Sequence, residues 1–154
     1  MRLIEILEPL PGVITNRLAD DLEITSLAYH SDQVLPGSLF FCLVGHRRDG
    51  HCYAAEAVSK GAVAVVASRP LPLPVPVIIV RNTREALAMA SARFYHFPSN
   101  RMNLIGVTGT NGKTTTTYYL DSIWRSSGQK SAIIGSNGLL AGDELRRFDL
   151  TTPQ

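Results

Sequence analysis

Cysteine is scarce in this chain: only Cys42 and Cys52 occur among 154 residues. Neither belongs to a C-x-x-C pair, which argues against a structural zinc site. Nor do they make a disulfide framework, so the sequence fits a reducing, cytoplasmic setting. His46, His51 and Cys52 lie close together in the chain, yet their spacing matches no recognised metal site. Charge imbalance is also missing. Lys and Arg number 15 against 13 Asp and Glu, a net charge of +2. So balanced a chain gives no reason to expect a nucleic-acid partner. The longest basic cluster is the pair Arg47-Arg48. No run approaches the ~20 apolar residues of a membrane span, so membrane insertion is not expected. The first eight residues include Glu5 and Glu8, and Pro9 follows. They lack the long apolar core and small-residue cleavage site of a signal peptide.

What is present is a globular composition, 45% hydrophobic and 18% charged. The length suits one domain or two small ones. Ser38-Leu-Phe-Phe-Cys-Leu-Val44 reads as a buried strand, and His51 to Lys60 as a helix with Ala54, Ala55, Ala57 and Val58 inward. Gly61 follows where a left-handed helix cap is expected. Ala62–Ala67 and Pro76–Val80 read as further buried strands. Between them, Arg69–Pro76 carries proline at every second position and is an extended connector. Asn82, with Glu85 three residues on, starts a helix that places Leu87, Ala90, Ser91 and Phe94 on one face. Pro98-Ser99-Asn100 breaks the pattern and marks a domain boundary.

The most specific signal lies beyond that break, in Leu104-Ile-Gly-Val-Thr-Gly-Thr-Asn-Gly-Lys-Thr-Thr-Thr-Thr117. A strand over Asn103–Val107 leads into a glycine-rich turn, and a helix from Lys113 to Ser127 follows, with Gly128 as its stop. Successive N–H groups of such a turn point inward at phosphates, and the helix adds the positive end of its dipole. Lys113 reaches the β- and γ-phosphates of a nucleoside triphosphate, and the Thr114 hydroxyl ligates Mg²⁺. Val107 stands where the strict G-x-x-x-x-G-K-[ST] pattern asks for glycine, with Gly106 and Gly109 on either side. Lys130–Ile134 is the next strand, and this β-loop-α-β order predicts a parallel sheet with phosphate at its carboxyl end. Gly135-Ser-Asn-Gly138 is a turn, and a hairpin is expected around Gly142-Asp143.

Several stretches carry a resemblance. Gly106–Thr115 resembles the ATP loop of the Mur ligases, the amide-forming enzymes of peptidoglycan precursor assembly. His30-Ser-Asp-Gln-Val-Leu-Pro-Gly-Ser-Leu-Phe-Phe41 resembles their D-S-R-x-V-x-P-G-D-L-F pattern. Gly45–His51 resembles a G-x-x-x-D-G-H/x segment, in which the last position varies, and Ala57–Val66 an A-x-x-x-G-A-x-A-V-V stretch. Thr151-Thr-Pro153 resembles a motif of the branch that adds the third amino acid. Three departures stand out: His30 replaces the first aspartate, Asp32 replaces the arginine, and Ser38 replaces the aspartate after Pro-Gly.

The resemblance implies an α/β chain: a small N-terminal α/β substrate domain over 1–98, then the start of a P-loop-type parallel-sheet ATPase domain over 99–154. The family's third, amino-acid-binding domain is not expected within these residues. It implies ATP on Gly109, Thr110, Asn111, Gly112, Lys113, Thr114 and Thr115, with Lys113 neutralising charge on the transferred phosphoryl group and Mg²⁺ on Thr114. Ser31, with Tyr29 beside it, is implied to contact the uridine of the substrate. His46, Arg47 and Arg48 are implied to lie near its diphosphate, where a basic loop has a physical motive. Thr151 and Thr152 are implied to bind the peptide end. The implied substrates are UDP-N-acetylmuramoyl-dipeptide and an amino acid, meso-diaminopimelate ahead of L-lysine, and the enzyme is expected to be a cytoplasmic monomer. The chemistry runs through an acyl phosphate attacked by the incoming amine, and the piece alone is expected to be inactive. Two alternatives remain at this point: the D-alanyl-D-alanine-adding Mur ligase, and a non-catalytic nucleotide-binding module. A generic P-loop NTPase or kinase would leave the first half unexplained.

Overall fold

The computed structural model describes residues 1–8, 10, 13–15, 22–45 and 48–147. The chain is α/β and divides into two compact units, Met1–Asn103 and Leu104–Gln154.

In the first unit, helix α1 (Leu3–Leu7) precedes strand β1 (Ile14–Thr15) and strand β2 (Ser26–Ala28). Strand β3 (Ser38–Phe41), helix α2 (Ala54–Ser59), strands β4 (Ala62–Ala67) and β5 (Val77–Ile79), and helix α3 (Thr83–Phe94) follow. The sheet order is β1-β5-β4-β3-β2. The four strands β2 to β5 run parallel, and β1 lies antiparallel on the β5 edge. Both faces are covered, which is why β3 and β4 read as unbroken apolar runs. Leu39, Phe41, Ala64 and Val66 meet Leu3 and Ile6 of α1 and Ala86, Leu87 and Ala90 of α3. Phe40, Cys42, Val65 and Ala67 meet Ala54 and Ala57 of α2 on the opposite face.

Local chemistry sets the element ends. The Asn82 side chain accepts from the Arg84 and Glu85 N–H groups, a cap of about 1 kcal/mol. Gly37, with φ +85°, sits in the turn before β3, and buried Ser38 closes that turn. The Ser38 hydroxyl donates to the Leu35 carbonyl (2.7 Å) and accepts from the Leu35 N–H (2.9 Å). It also shares a 2.6 Å bond with the Ser26 hydroxyl on the neighbouring strand. Serine after Pro-Gly is therefore a structural residue here.

Three sequence expectations shift. The strand over Ser38–Val44 ends at Phe41. The helix expected from His51 begins as a 3-10 turn, Gly50–Tyr53, and becomes α-helical at Ala54. Ala55 faces solvent, because only Ala54 and Ala57 fall on the buried stripe of so short a helix.

In the second unit, helix α4 (Lys113–Ser126) is followed by strands β6 (Ala132–Gly135), β7 (Gly138–Ala141) and β8 (Glu144–Arg146). These form an antiparallel sheet, β6-β7-β8, closed by two-residue turns at Ser136-Asn137 and Gly142-Asp143. Asn103–Val107 is not a strand, and β6 has no parallel neighbour among the described residues. A tight hairpin closes a far shorter loop than a crossover through a helix, and β7 pairs with one edge of β6. Leu104 and Ile105 are left 72% and 56% exposed.

Candidate functional site

Parallel strands send all their carboxyl ends to one edge of the sheet. Here β2 exits into Tyr29–Ser31, β3 into Leu43–Asp49, β4 into Ser68-Arg69 and β5 into the Asn82 cap. Ligands of open α/β sheets bind outside that edge. Tyr29 is half-buried against the α1/α3 core, its ring 4.7 Å from that of His30. Ser31 opens a 3-10 turn, Ser31–Gln33. Nearby, the Glu56 carboxyl is held below its ordinary value, first by Lys60 and then by the Ser31 hydroxyl. Lys60 bridges Glu56 (2.7 Å) and Asp32 (3.2 Å). Asp32, standing in the family's arginine slot, thus ties this turn to α2.

Arg48 is exposed, and its carbonyl accepts from the Gly45 N–H at 2.9 Å. Val44 and Asp49 form an antiparallel bridge around that pair. Tyr29, Ser31 and Arg48 therefore belong to one sheet edge. His46 and Arg47 lie outside the described residues, as do Thr151 and Thr152.

The glycine-rich turn lies in the other unit. Gly109 and Gly112 have φ of +150° and +78°, values side-chain-bearing residues rarely adopt. Gly112 is the N-cap of α4 and offers no side-chain acceptor to the first-turn N–H groups. Lys113 bends back so that its ammonium donates to the carbonyls of Gly109 and Thr110. Thr110, Asn111, Thr114 and Thr115 are exposed around it. The loop is thus wound about one cation at the positive end of a four-turn helix, an arrangement suited to an anionic phosphate chain.

Two family models match the chain: the Mur ligase family, catalytic domain, over residues 23–95, and the Mur ligase middle domain over 107–154. The chain belongs to the Mur ligase family. Over all 154 residues it is 46% identical to the UDP-N-acetylmuramoyl-L-alanyl-D-glutamate--2,6-diaminopimelate ligase of Geobacillus thermodenitrificans, and it spans 31% of that relative's length. Among solved structures, a ligase of that same name shares the fold at a TM-score of 0.74 and 21% identity, over 94% of this chain and 29% of its own. MurF ligase from Thermotoga maritima, solved in complex with ADP, matches at a TM-score of 0.53 and 29% identity, over 69% of this chain and 24% of its own.

The Mur ligase motifs also contain a cluster that sequence reasoning left without a role. His51 is buried behind the Arg48 turn, its side chain 1% exposed. Its Nδ1 lies 2.5 Å from Asp49 Oδ1. Its Nε2 accepts from the Ser68 N–H at 3.0 Å and lies 3.1 Å from the Ser68 hydroxyl. Because Nε2 accepts a main-chain N–H, the proton sits on Nδ1 and is donated to Asp49. Arg69 donates to the other Asp49 oxygen at 3.1 Å. The Asp49 carboxyl is held below its ordinary value, first by the His51 N–H, then by the His51 ring, with Arg69 adding charge. The G-x-x-x-D-G-H segment contains two of these residues. Nothing in the sequence brings Ser68 to them, because it arrives on another strand.

Proposed function

We propose that the protein carrying this chain is an ATP-dependent, amide-forming ligase of peptidoglycan precursor synthesis. It adds the third amino acid, meso-diaminopimelate ahead of L-lysine, to UDP-N-acetylmuramoyl-L-alanyl-D-glutamate. The carrying observation is the loop wound about Lys113 at the head of α4, in a chain 46% identical along its whole length to a ligase named for that reaction. MurF from Thermotoga maritima, solved in complex with ADP, supports a nucleotide ligand.

In this reading the main-chain N–H groups of 109–115 and the Lys113 ammonium hold the phosphates, and Thr114 and Thr115 stand in the first helical turn beside them. The Thr114 hydroxyl would hold Mg²⁺, which offsets phosphate charge. ATP, as substrate, supplies the phosphoryl group that gives the D-glutamate carboxylate a leaving group. The amine then attacks the acyl phosphate carbonyl, and phosphate departs. The chain's contribution is placement and charge neutralisation.

The uridine nucleotide takes the carboxyl edge of the first unit, with Tyr29, Ser31 and Arg48 as contacts, together with His46 and Arg47. The Ser31 hydroxyl, which can donate and accept, suits a polar ligand group at this edge. Thr151 and Thr152 take the peptide end. The enzyme is read as cytoplasmic and monomeric, in keeping with free thiols at Cys42 and Cys52. No helix among the described residues is long and apolar enough to cross a membrane.

The test is ADP release by the complete gene product with UDP-N-acetylmuramoyl-dipeptide and different amines. Release with diaminopimelate supports the proposal. Release only with the UDP-tripeptide and D-alanyl-D-alanine, or with no amine dependence at all, overturns it.

A further inference from the structure

Asp49, His51, Ser68 and Arg69 form a chain of polar contacts from the Arg48 turn to the exit of β4. It has the order of a nucleophile, base and acid, but the imidazole lone pair is taken by the Ser68 main-chain N–H as well as its hydroxyl. A base engaged by an amide it cannot deprotonate is poorly placed to activate the neighbouring hydroxyl. The contacts instead make a clamp. The Asp49 carboxylate receives the His51 N–H at 3.0 Å, the His51 ring and the Arg69 guanidinium. The Asp49 carbonyl receives the Cys52 N–H at 3.1 Å. Gly50 donates to the Leu43 carbonyl at 2.8 Å, and a Cβ on Gly50 would meet the Leu43 N and O atoms at 2.7 Å. The Asp-Gly-His order is thus accounted for residue by residue: an acceptor, a residue with no side chain, and a buried two-ended connector.

We propose that His51 is a positioning residue for the uridine nucleotide. By tying Asp49 to the end of β4, it fixes the direction in which the adjacent Arg48 leaves the sheet edge. This rests on the reading of Arg48 as a diphosphate contact. A flexible arginine gains affinity only when its approach is set beforehand, because ordering it on binding opposes association.

The experiment is calorimetric titration of the 154-residue chain with UDP, in a double-mutant cycle of His51 and Arg48. Arg48→Ala tests the underlying reading. If wild type does not bind UDP, or Arg48→Ala binds it equally well, that reading fails and the proposal with it. If Arg48→Ala weakens binding, the cycle decides the proposal alone. His51→Asn keeps the donor to Asp49 and loses the Ser68 link; His51→Gln does the reverse. Each is expected to weaken UDP about tenfold with Arg48 present and to change it little in the Arg48→Ala background. Unchanged affinity, or the same factor in both backgrounds, overturns the proposal, because loosening of the fold at large acts without regard to Arg48. Should a His51 variant lose native circular dichroism, Asp49→Asn, which keeps shape and removes charge, carries the same comparison.

Discussion

Cys42 lies past the end of β3 beneath α2, and burial there pushes its thiol up to about 12, with Asp49 adding to the shift and Arg69 opposing it. Cys52 is exposed in the following turn. The thiolate is the reactive form, so a disulfide reagent should label Cys52 alone in the native chain and both thiols in denaturant. Equal native rates would contradict the burial of Cys42. Asp49 supplies a second residue-scale prediction. Its carboxyl is depressed by the His51 N–H, the His51 ring and Arg69. A carboxyl depressed on folding stabilises the native state above its unfolded value and loses that effect as pH falls through its folded value. Asp49→Asn should therefore lower the urea midpoint at neutral pH, by a gap that narrows below about pH 4, the ordinary carboxylate range. A gap equally wide at pH 3 and pH 7 would contradict this.

Among the elements, the antiparallel sheet of the second unit depends on Gly138. Its φ is +107°, and a Cβ there would collide with the Arg146 carbonyl oxygen. Gly138→Ala should open β7 from β8, seen as faster amide exchange at Leu139–Ala141, and destabilise the unit by roughly 1–3 kcal/mol. Unaltered exchange would show that the pairing does not need glycine. Much at this scale was legible beforehand. Asn82 with Glu85 announced the cap of α3, the apolar runs announced β3 and β4, and Gly142-Asp143 announced the β7-β8 hairpin, while β6, expected in a parallel sheet, pairs antiparallel with β7. Helix α1 and strand β2 were not legible, because five and three residues give no period to read. The strand expected over Asn103–Val107 has the right composition, but a strand exists only by pairing, and among the described residues β6 pairs with β7 alone. Of the candidate site, the residues proposed to touch ligand come from motifs alone. The Asp49-His51-Ser68 clamp could not be named in this way, because its parts converge only when β3 and β4 lie side by side.

At the scale of the molecule, the chain spans 31% of the length of its Geobacillus relative. In the proposed reading, its sheet edge takes a uridine nucleotide and its glycine-rich loop a triphosphate. The 154-residue chain should therefore bind UDP and ATP separately and release no ADP when given UDP-N-acetylmuramoyl-dipeptide and diaminopimelate. ADP formation that requires both would contradict that division of labour. The central claim, that the turn around Lys113 grips a triphosphate, is most directly tested by titrating Mg-ATP into the wild-type chain and into Lys113→Ala. Loss of one charge-assisted contact is worth about 1.5–3 kcal/mol, so the variant should bind at least about tenfold more weakly. Equal affinity in the two chains, with both folded, would contradict the claim.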